Sequence, residues 1–368
     1  MDIFEELGIR RYVNAQDTFT KYGASCMSEA SLRAMYEISR SWVDLDEVQR
    51  KAGDAIAGLT HNEGAYLTNG AAGGLMVCAA SALAMDSEEA FEALPDTGAR
   101  CEIVVQRAQH NSYDSCLRTA GAKLVWTGSE TKAPDEDEFA SAITERTAAV
   151  AYFIYHGRAA SLPLETVVRI AHAKGVPVIV DAAAQNPPAE NLWKYTAEFG
   201  ADMAIFSGGK TLCGPQDSGL VVGKREWIER CRRWGPPRDG VCRGCKTSRE
   251  AMAGLYVAVR DYLAQDEDQA HAKRAALCEM WEETARVCGC TQVRRSDEGP
   301  VGQKLWRSFA KPAHGSAAQA AERMRRAGVY IGTTDDGSEF IFNPLLLSEE
   351  EAKRVCEATR AALEQTEG

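Results

Sequence analysis

A chain of 368 residues with 45% hydrophobic and 26% charged content is long enough for one large domain and a smaller one, each with a core of its own. Its net charge of −11 argues against a nucleic-acid partner, because binding a phosphate backbone rests on clustered Lys and Arg. The apolar runs are too short to span a bilayer and residues 1–6 lack the basic start and apolar core of a signal peptide, so no membrane partner and a cytoplasmic location are expected.

In chain order, residues 1–45 are expected to form an N-terminal arm: a short amphipathic piece, then a polar, aromatic and poorly periodic run over 12–23. The spacing of Leu32, Met35 and Ile38, and of Val48, Ala52, Ala55, Ile56 and Leu59, predicts amphipathic helices. Asp44, Asp46 and Glu47 suit a helix N-terminus, where the dipole and the free N–H groups favour negative charge. Residues 65–75 read as a strand turning into a small-residue helix that runs to about Met85. Small residues at a helix start leave the N–H groups bare and let a phosphate come close, which makes Gly70, Ala71 and Ala72 candidate phosphate ligands. Buried strands are expected at 103–105, 125–128 and 150–155, alternating with helices as in a mostly parallel sheet.

The most informative stretches follow. Residues 177–185 read P-V-I-V-D-A-A-A-Q, an apolar strand ending in Asp181, where the strands of an open α/β sheet deliver side chains to a ligand crevice. Residues 201–223 run from an apolar strand (203–206) through a glycine-rich loop carrying Lys210 into a second apolar strand (220–222). A lysine in such a loop is desolvated and its backbone can approach a ligand closely, a setting that suits Schiff-base chemistry. A lysine and a carboxylate at the ends of two buried strands can meet one flat cofactor. Pyridoxal phosphate needs both, the lysine for its aldehyde and the carboxylate to keep its ring nitrogen protonated.

After Gly223 a segment rich in Arg, Trp, Gly and Pro reads as an excursion at a domain or subunit border. Its basic residues, Arg230, Arg232, Arg233, Arg238, Arg243, Lys246 and Arg249, suit either an anionic substrate or neighbouring subunit, or a solvated face. Helical spacing resumes over 250–263. Helices at 270–287, 316–327 and 348–364 with strands at 291–294, 304–309, 329–332 and 339–342 predict a compact α+β C-terminal domain. The expected organisation is an arm (1–45), a large cofactor-binding domain (46–263) and a small domain (264–368). Of the twelve cysteines only Cys242-Arg-Gly-Cys245 has ligand-like spacing, with no histidine beside a second such pair, so neither a metal site nor disulfides are expected.

The runs V-D-A-A-A-Q, G-A-D-M-A-I-F-S-G-G-K and G-P-Q-D-S-G resemble the fold-type-I pyridoxal-phosphate enzymes, in particular the branch of bacterial selenocysteine synthase (L-seryl-tRNA selenium transferase) and D-glucosaminate-6-phosphate ammonia-lyase. The resemblance runs from about Val13 into the C-terminal domain. It implies a mostly parallel seven-stranded sheet with helices on both faces, a smaller α+β domain, and a homodimer or higher homo-oligomer. By the same resemblance His110 stacks on the cofactor ring, Ser207 contacts its phosphate, and His156 and Arg158 hold a substrate anion. Asn14, Thr18 and Thr20, in the arm, become substrate-contact candidates. Gln185 matches a cofactor-contacting glutamine of the cysteine desulfurases, with a spacing from Asp181 one residue longer. Selenocysteine synthase carries additional N-terminal sequence that engages tRNA and this chain begins almost at the shared core, so a small-molecule substrate is expected. The activity this implies is a lyase acting on an amino acid or amino-sugar acid with a β-leaving group, releasing ammonia and a 2-oxo acid. β-Replacement, racemisation or aldol-type cleavage of a hydroxy-amino acid, and a non-catalytic binding protein, are the alternatives.

Overall fold

The computed structural model describes residues 2–154 and 160–364. Its strands are β1 (Val13–Ala15), β2 (Gly64–Thr68), β3 (Glu102–Gln106), β4 (Lys123–Thr127), β5 (Thr147–Phe153), β6 (Val178–Asp181), β7 (Met203–Ser207), β8 (Gly219–Gly223), β9 (Thr291–Glu298), β10 (Lys304–Lys311), β11 (Val329–Thr333) and β12 (Phe340–Phe342). The chain forms two compact units, Ser25–Ala264 and Met1–Ala24 with Gln265–Gly368.

The larger unit is built on a seven-stranded sheet in the order β2-β8-β7-β6-β5-β3-β4. β8 runs antiparallel to both its neighbours, and the remaining pairs are parallel. Strands covered on both faces need apolar residues at consecutive positions, and β5 is buried at every position from Thr147 to Phe153. Successive side chains still alternate between the two faces. Val178 and Val180 join a layer with Val104, Ala204 and the helix residues Ile56, Met252, Leu255 and Val259. Ile179 joins the opposite layer with Ile103, Val105, Ile205, Val221 and the helix residues Leu75, Val77 and Ile228. Asp181, two residues after Ile179, therefore faces the second layer at the carboxyl end of β6.

The helix Ala71–Ala84 dominates that second layer. Eleven of its residues, from Gly73 to Ala84, are buried, so its packing depends on small side chains. A Cβ at Gly74 would lie 2.8 Å from Ile205 Cγ2 and 3.3 Å from Val221 Cγ2, so this glycine sets how closely the helix approaches the sheet. On the edge strand β2, buried Gln49 takes the place of a further strand: its amide donates to Leu67 O at 2.7 Å and accepts from Leu67 N at 2.9 Å.

The smaller unit carries a five-stranded sheet, β1-β11-β12-β10-β9, with β1 parallel to β11. Three helices, Glu267–Val287, Ala317–Arg326 and Glu349–Glu364, supply its core together with the sheet. Trp281 stacks on Phe342 at 5.2 Å and donates its indole N–H to Thr359 Oγ1 at 3.1 Å. Buried Glu282 receives two hydrogen bonds from Arg295 (2.7 and 3.0 Å) and one from Ser308 (2.7 Å), which compensates its burial. Among the described residues no helix is long and apolar enough to cross a membrane.

Valine at position 74 forces the helix Ala71–Ala84 off the sheet. Gly74→Val is expected to lower stability by about 1–3 kcal/mol. Urea unfolding checks this, and an unchanged midpoint would contradict the packing described.

Candidate active site

The carboxyl ends of the parallel strands bring the sequence candidates of the larger unit to one edge. Thr68, Gly219 and Ser207 lie side by side in register across β2, β8 and β7, and Asp181 is paired with Ile205 one strand further on. The turn after β2 is shaped by glycine. Gly70 has φ +95°, and a Cβ on Gly219 would stand 2.3 Å from the Gly70 carbonyl carbon, so only two bare backbones can pass here. Gly70 caps the helix Ala71–Ala84 without any side-chain hydrogen bond. The N–H groups of its first turn have no partner within the helix and point out of its positive end, a ready anion cradle.

Asp181 is half-buried at the end of β6, and its Oδ1 accepts the Ala183 N–H at 3.0 Å. Burial is the main influence on its carboxyl and pushes it above the ordinary carboxylate range; the Ala183 N–H and the positive charge of Lys210 pull the other way. Lys210 and Asp181 are thus electrostatic neighbours. Lys210 is half-buried in a turn that the backbone fixes tightly: Gly208 N–H donates to Ser218 O (2.9 Å), Gly214 N–H to Gly208 O (2.8 Å) and Cys213 N–H to Lys210 O (2.9 Å). A Cβ on Gly209 would come within 2.5 Å of Gln216 Cα, and Ser25 Oγ and Thr211 Oγ1 tie the loop to Gly209 O and Asn186 O. The lysine therefore extends from a rigid base.

His110 follows β3 and a single 3-10 turn. Its Nδ1 lies 2.5 Å from Oδ2 of fully buried Asp114, whose Oδ1 meets Arg118 at 2.6 Å. Its ring stands edge-on to Trp126, with centroids 5.2 Å apart. On the same helix as Asp114, the half-buried Cys116 thiol is pushed up chiefly by burial, with Asp181 among the charges that act on it, so this helix lies near the end of β6. Buried Cys245 packs on the first turn of the cradle helix: its Sγ is 3.5 Å from Met76 Sδ, and Asn69 donates to Gly244 O at 3.1 Å. Burial pushes the Cys245 thiol up to about 11, the behaviour of a packing residue and not of a nucleophile.

Other candidates make contacts within the protein. Gln185 is buried and donates to Ile154 O at 3.1 Å, bracing the end of β5. Asn14 and Thr18 belong to the smaller unit, where both engage Asp17: Asn14 donates to Asp17 O (2.8 Å) and Thr18 Oγ1 lies 3.2 Å from Asp17 Oδ1. His156 and Arg158 lie outside the described residues. Among the described residues no three His, Cys, Asp or Glu side chains gather as a metal-binding group. Asp114, Arg107 and Trp126 escaped the sequence reading, because their contacts with His110 and with each other form only once the turn and the two strands are in place.

A bare helix N-terminus, a rigidly based lysine and a half-buried, desolvated carboxylate that favours a proton near it fit the phosphate, the aldehyde and the ring nitrogen of pyridoxal phosphate. The fold and this donor set define a fold-type-I pyridoxal-phosphate enzyme. Comparison with known proteins agrees. Residues 78–239 match the aminotransferase class-V family. The chain is 32% identical to 5'-C-glycyluridine monooxygenase-decarboxylase from a Streptomyces species, over 89% of this chain and 82% of that protein. It is 29% identical to D-glucosaminate-6-phosphate ammonia lyase of Salmonella typhimurium, over 89% and 87% respectively. A solved D-glucosaminate-6-phosphate ammonia-lyase superposes over 100% of both chains with a TM-score of 0.86 at 25% identity. L-seryl-tRNA(Sec) selenium transferase of Alkaliphilus metalliredigens is 25% identical over 72% of this chain and 58% of its own length. The chain belongs to the aminotransferase class-V family of pyridoxal-phosphate enzymes.

A carboxyl raised by burial binds its proton more tightly in the folded state than in the unfolded one. Its contribution to stability is full below the unfolded pKa, about 4, and is lost as pH rises through the higher folded value. In cofactor-free protein Asp181→Asn is therefore expected to gain stability relative to wild type as pH rises above about 4. Thermal unfolding across a pH series checks this, and parallel curves for the two proteins would contradict it.

Proposed function

We propose that the enzyme is a lyase for an amino acid or amino-sugar acid bearing a leaving group at Cβ, and that it removes the α-proton, expels the β-group and releases ammonia and a 2-oxo acid. The observation that carries this reading is that Lys210, just beyond the end of β7, lies near enough to Asp181, at the end of the adjoining β6, for its charge to act on that carboxyl. It is supported by the likeness to an ammonia lyase over 89% of the chain.

Bound pyridoxal phosphate supplies a ring that delocalises the charge left on the substrate α-carbon. Lys210 Nζ would hold the cofactor's aldehyde carbon at rest and, once the substrate amine takes its place, carry the proton from Cα. Asp181 would keep a proton on the ring nitrogen. That role suits a carboxylate whose own burial favours a nearby positive charge. Gly70, Ala71 and Ala72 would present backbone N–H groups to the phosphate, with Ser207 in register, through Gly219, with Thr68 just before that turn. His110, braced by Asp114, would lie against the ring face. The substrate is a small molecule, a reading that the acidic surface charge supports, and the working form is a homodimer or larger homo-oligomer.

β-Replacement is a second reading, supported by the likeness to the selenium transferases. The two part at the product. With a panel of D- and L-hydroxy-amino acids and amino-sugar acids, mass spectrometry is expected to show a 2-oxo acid and stoichiometric ammonia. Lys210→Ala is expected to abolish both turnover and the cofactor absorbance near about 420 nm. A product that retains the amino nitrogen would overturn the elimination reading, and an absorbance that survives the substitution would remove Lys210 from the mechanism.

A further inference from the structure

Arg107 and Trp126 form a cluster beside the site that the proposed chemistry does not use. Arg107 is half-buried just past the end of β3, and its guanidinium carbon lies 5.0 Å from the centre of the Trp126 ring on the neighbouring strand β4. The guanidinium lies over the indole in a cation–π contact, and Arg107 forms no ion pair with an Asp or Glu among the described residues. Most arginines of the larger unit differ. Arg118, Arg146, Arg169, Arg230, Arg232 and Arg238, for example, each meet a carboxylate.

The side-chain alternation of the sheet places this cluster. Ile103 and Val105 of β3 and Leu124 and Trp126 of β4 belong to the same layer as Ile179 and Ile205. Asp181 continues that layer on β6, and Trp126 with its stacked guanidinium lies on the same face at the same, carboxyl, ends of the strands. Two strand spacings separate β3 from β6, so the strand ends carrying Arg107 and Asp181 lie on the order of 10 Å apart. Edge-on contact with Trp126 also puts His110 beside the cluster.

A guanidinium held over an indole by cation–π attraction is restrained in position while its N–H groups still need acceptors, and such a fork can take an oxyanion through two parallel hydrogen bonds. We propose that Arg107, positioned by Trp126, binds a second anionic group of the substrate, a phosphate or a carboxylate several bonds from the reacting amine. This inference rests on the site reading above and narrows it. The substrate class becomes amino acids or amino-sugar acids with a distal oxyanion. The residue confers specificity: it fixes the far end of the substrate and leaves the proton transfers to Lys210.

The test uses the cofactor-loaded protein, so that the helix cradle is already filled. Wild type, Arg107→Gln and Arg107→Lys are titrated calorimetrically with inorganic phosphate and, separately, with acetate at constant ionic strength. Wild type is expected to bind one of the two, phosphate indicating a distal phosphate and acetate a distal carboxylate. Arg107→Gln is expected to weaken that binding roughly ten- to a hundredfold, with partial recovery in Arg107→Lys. In turnover, the ratio of kcat/KM for a substrate carrying the distal anion to that for its neutral analogue is expected to fall by a similar factor in Arg107→Gln, through KM. Binding of neither anion by wild type, or equal binding by Arg107→Gln, overturns the proposal. Cofactor absorbance monitored in the same samples separates this failure from failure of the site itself: a loaded protein without anion binding sinks only the role of Arg107.

Discussion

The proposed site depends on one electrostatic arrangement, a carboxylate at the end of β6 that the protein desolvates and on which the charge of Lys210 acts. Burying Asp181 costs stability, because the protein interior solvates its charged form less well than water does. The Ala183 N–H and Lys210 offset part of that cost. What is left unbalanced is a preference for one more positive charge, which a protonated ring nitrogen would satisfy. Under the proposed assignment, cofactor binding would relieve this local cost, and binding and stability would be coupled through this one group.

The rest of the larger unit can be understood as the means of holding that pair still. Parallel strands bring their carboxyl ends to one edge, and the antiparallel β8 returns the chain so that Gly219 presses on Gly70 and closes the turn of the cradle. Small residues allow the helix Ala71–Ala84 to lie close on the sheet, which aims its N-terminus at the same edge. The loop that bears Lys210 is tied at both ends and in the middle by hydrogen bonds, so the amine moves about a fixed base. Rigidity of this kind lowers the reorganisation needed when charge develops on a substrate.

Much of this was legible in the chain. The strands of the large sheet announce themselves as short apolar runs ended by glycine or polar residues, and the carboxylate and amine stand where those runs stop. The pairing of β1 with β11 was not legible, because Asn14 and Tyr330 are brought together across more than 300 residues and 12–23 has no alternating pattern. The far half of β9, Arg295 to Glu298, was missed for a different reason. Its residues are polar or charged, and Arg295 is held there by the buried Glu282. The contact of Arg107 with Trp126 joins two strands that are adjacent in space only after the sheet has formed. His110 and Asp114 meet across a turn that precedes the helix Asp114–Thr119, and nothing local reveals either that contact or the full burial of Asp114.

The most direct test of the central claim is chemical trapping at the lysine. After incubation with pyridoxal phosphate, borohydride reduction makes any cofactor linkage permanent, and peptide mass mapping locates it. The account requires the added mass on the peptide containing Lys210, with labelling weakened when Asp181 is replaced by Asn. Labelling spread over surface lysines, or on a different single lysine, would contradict it.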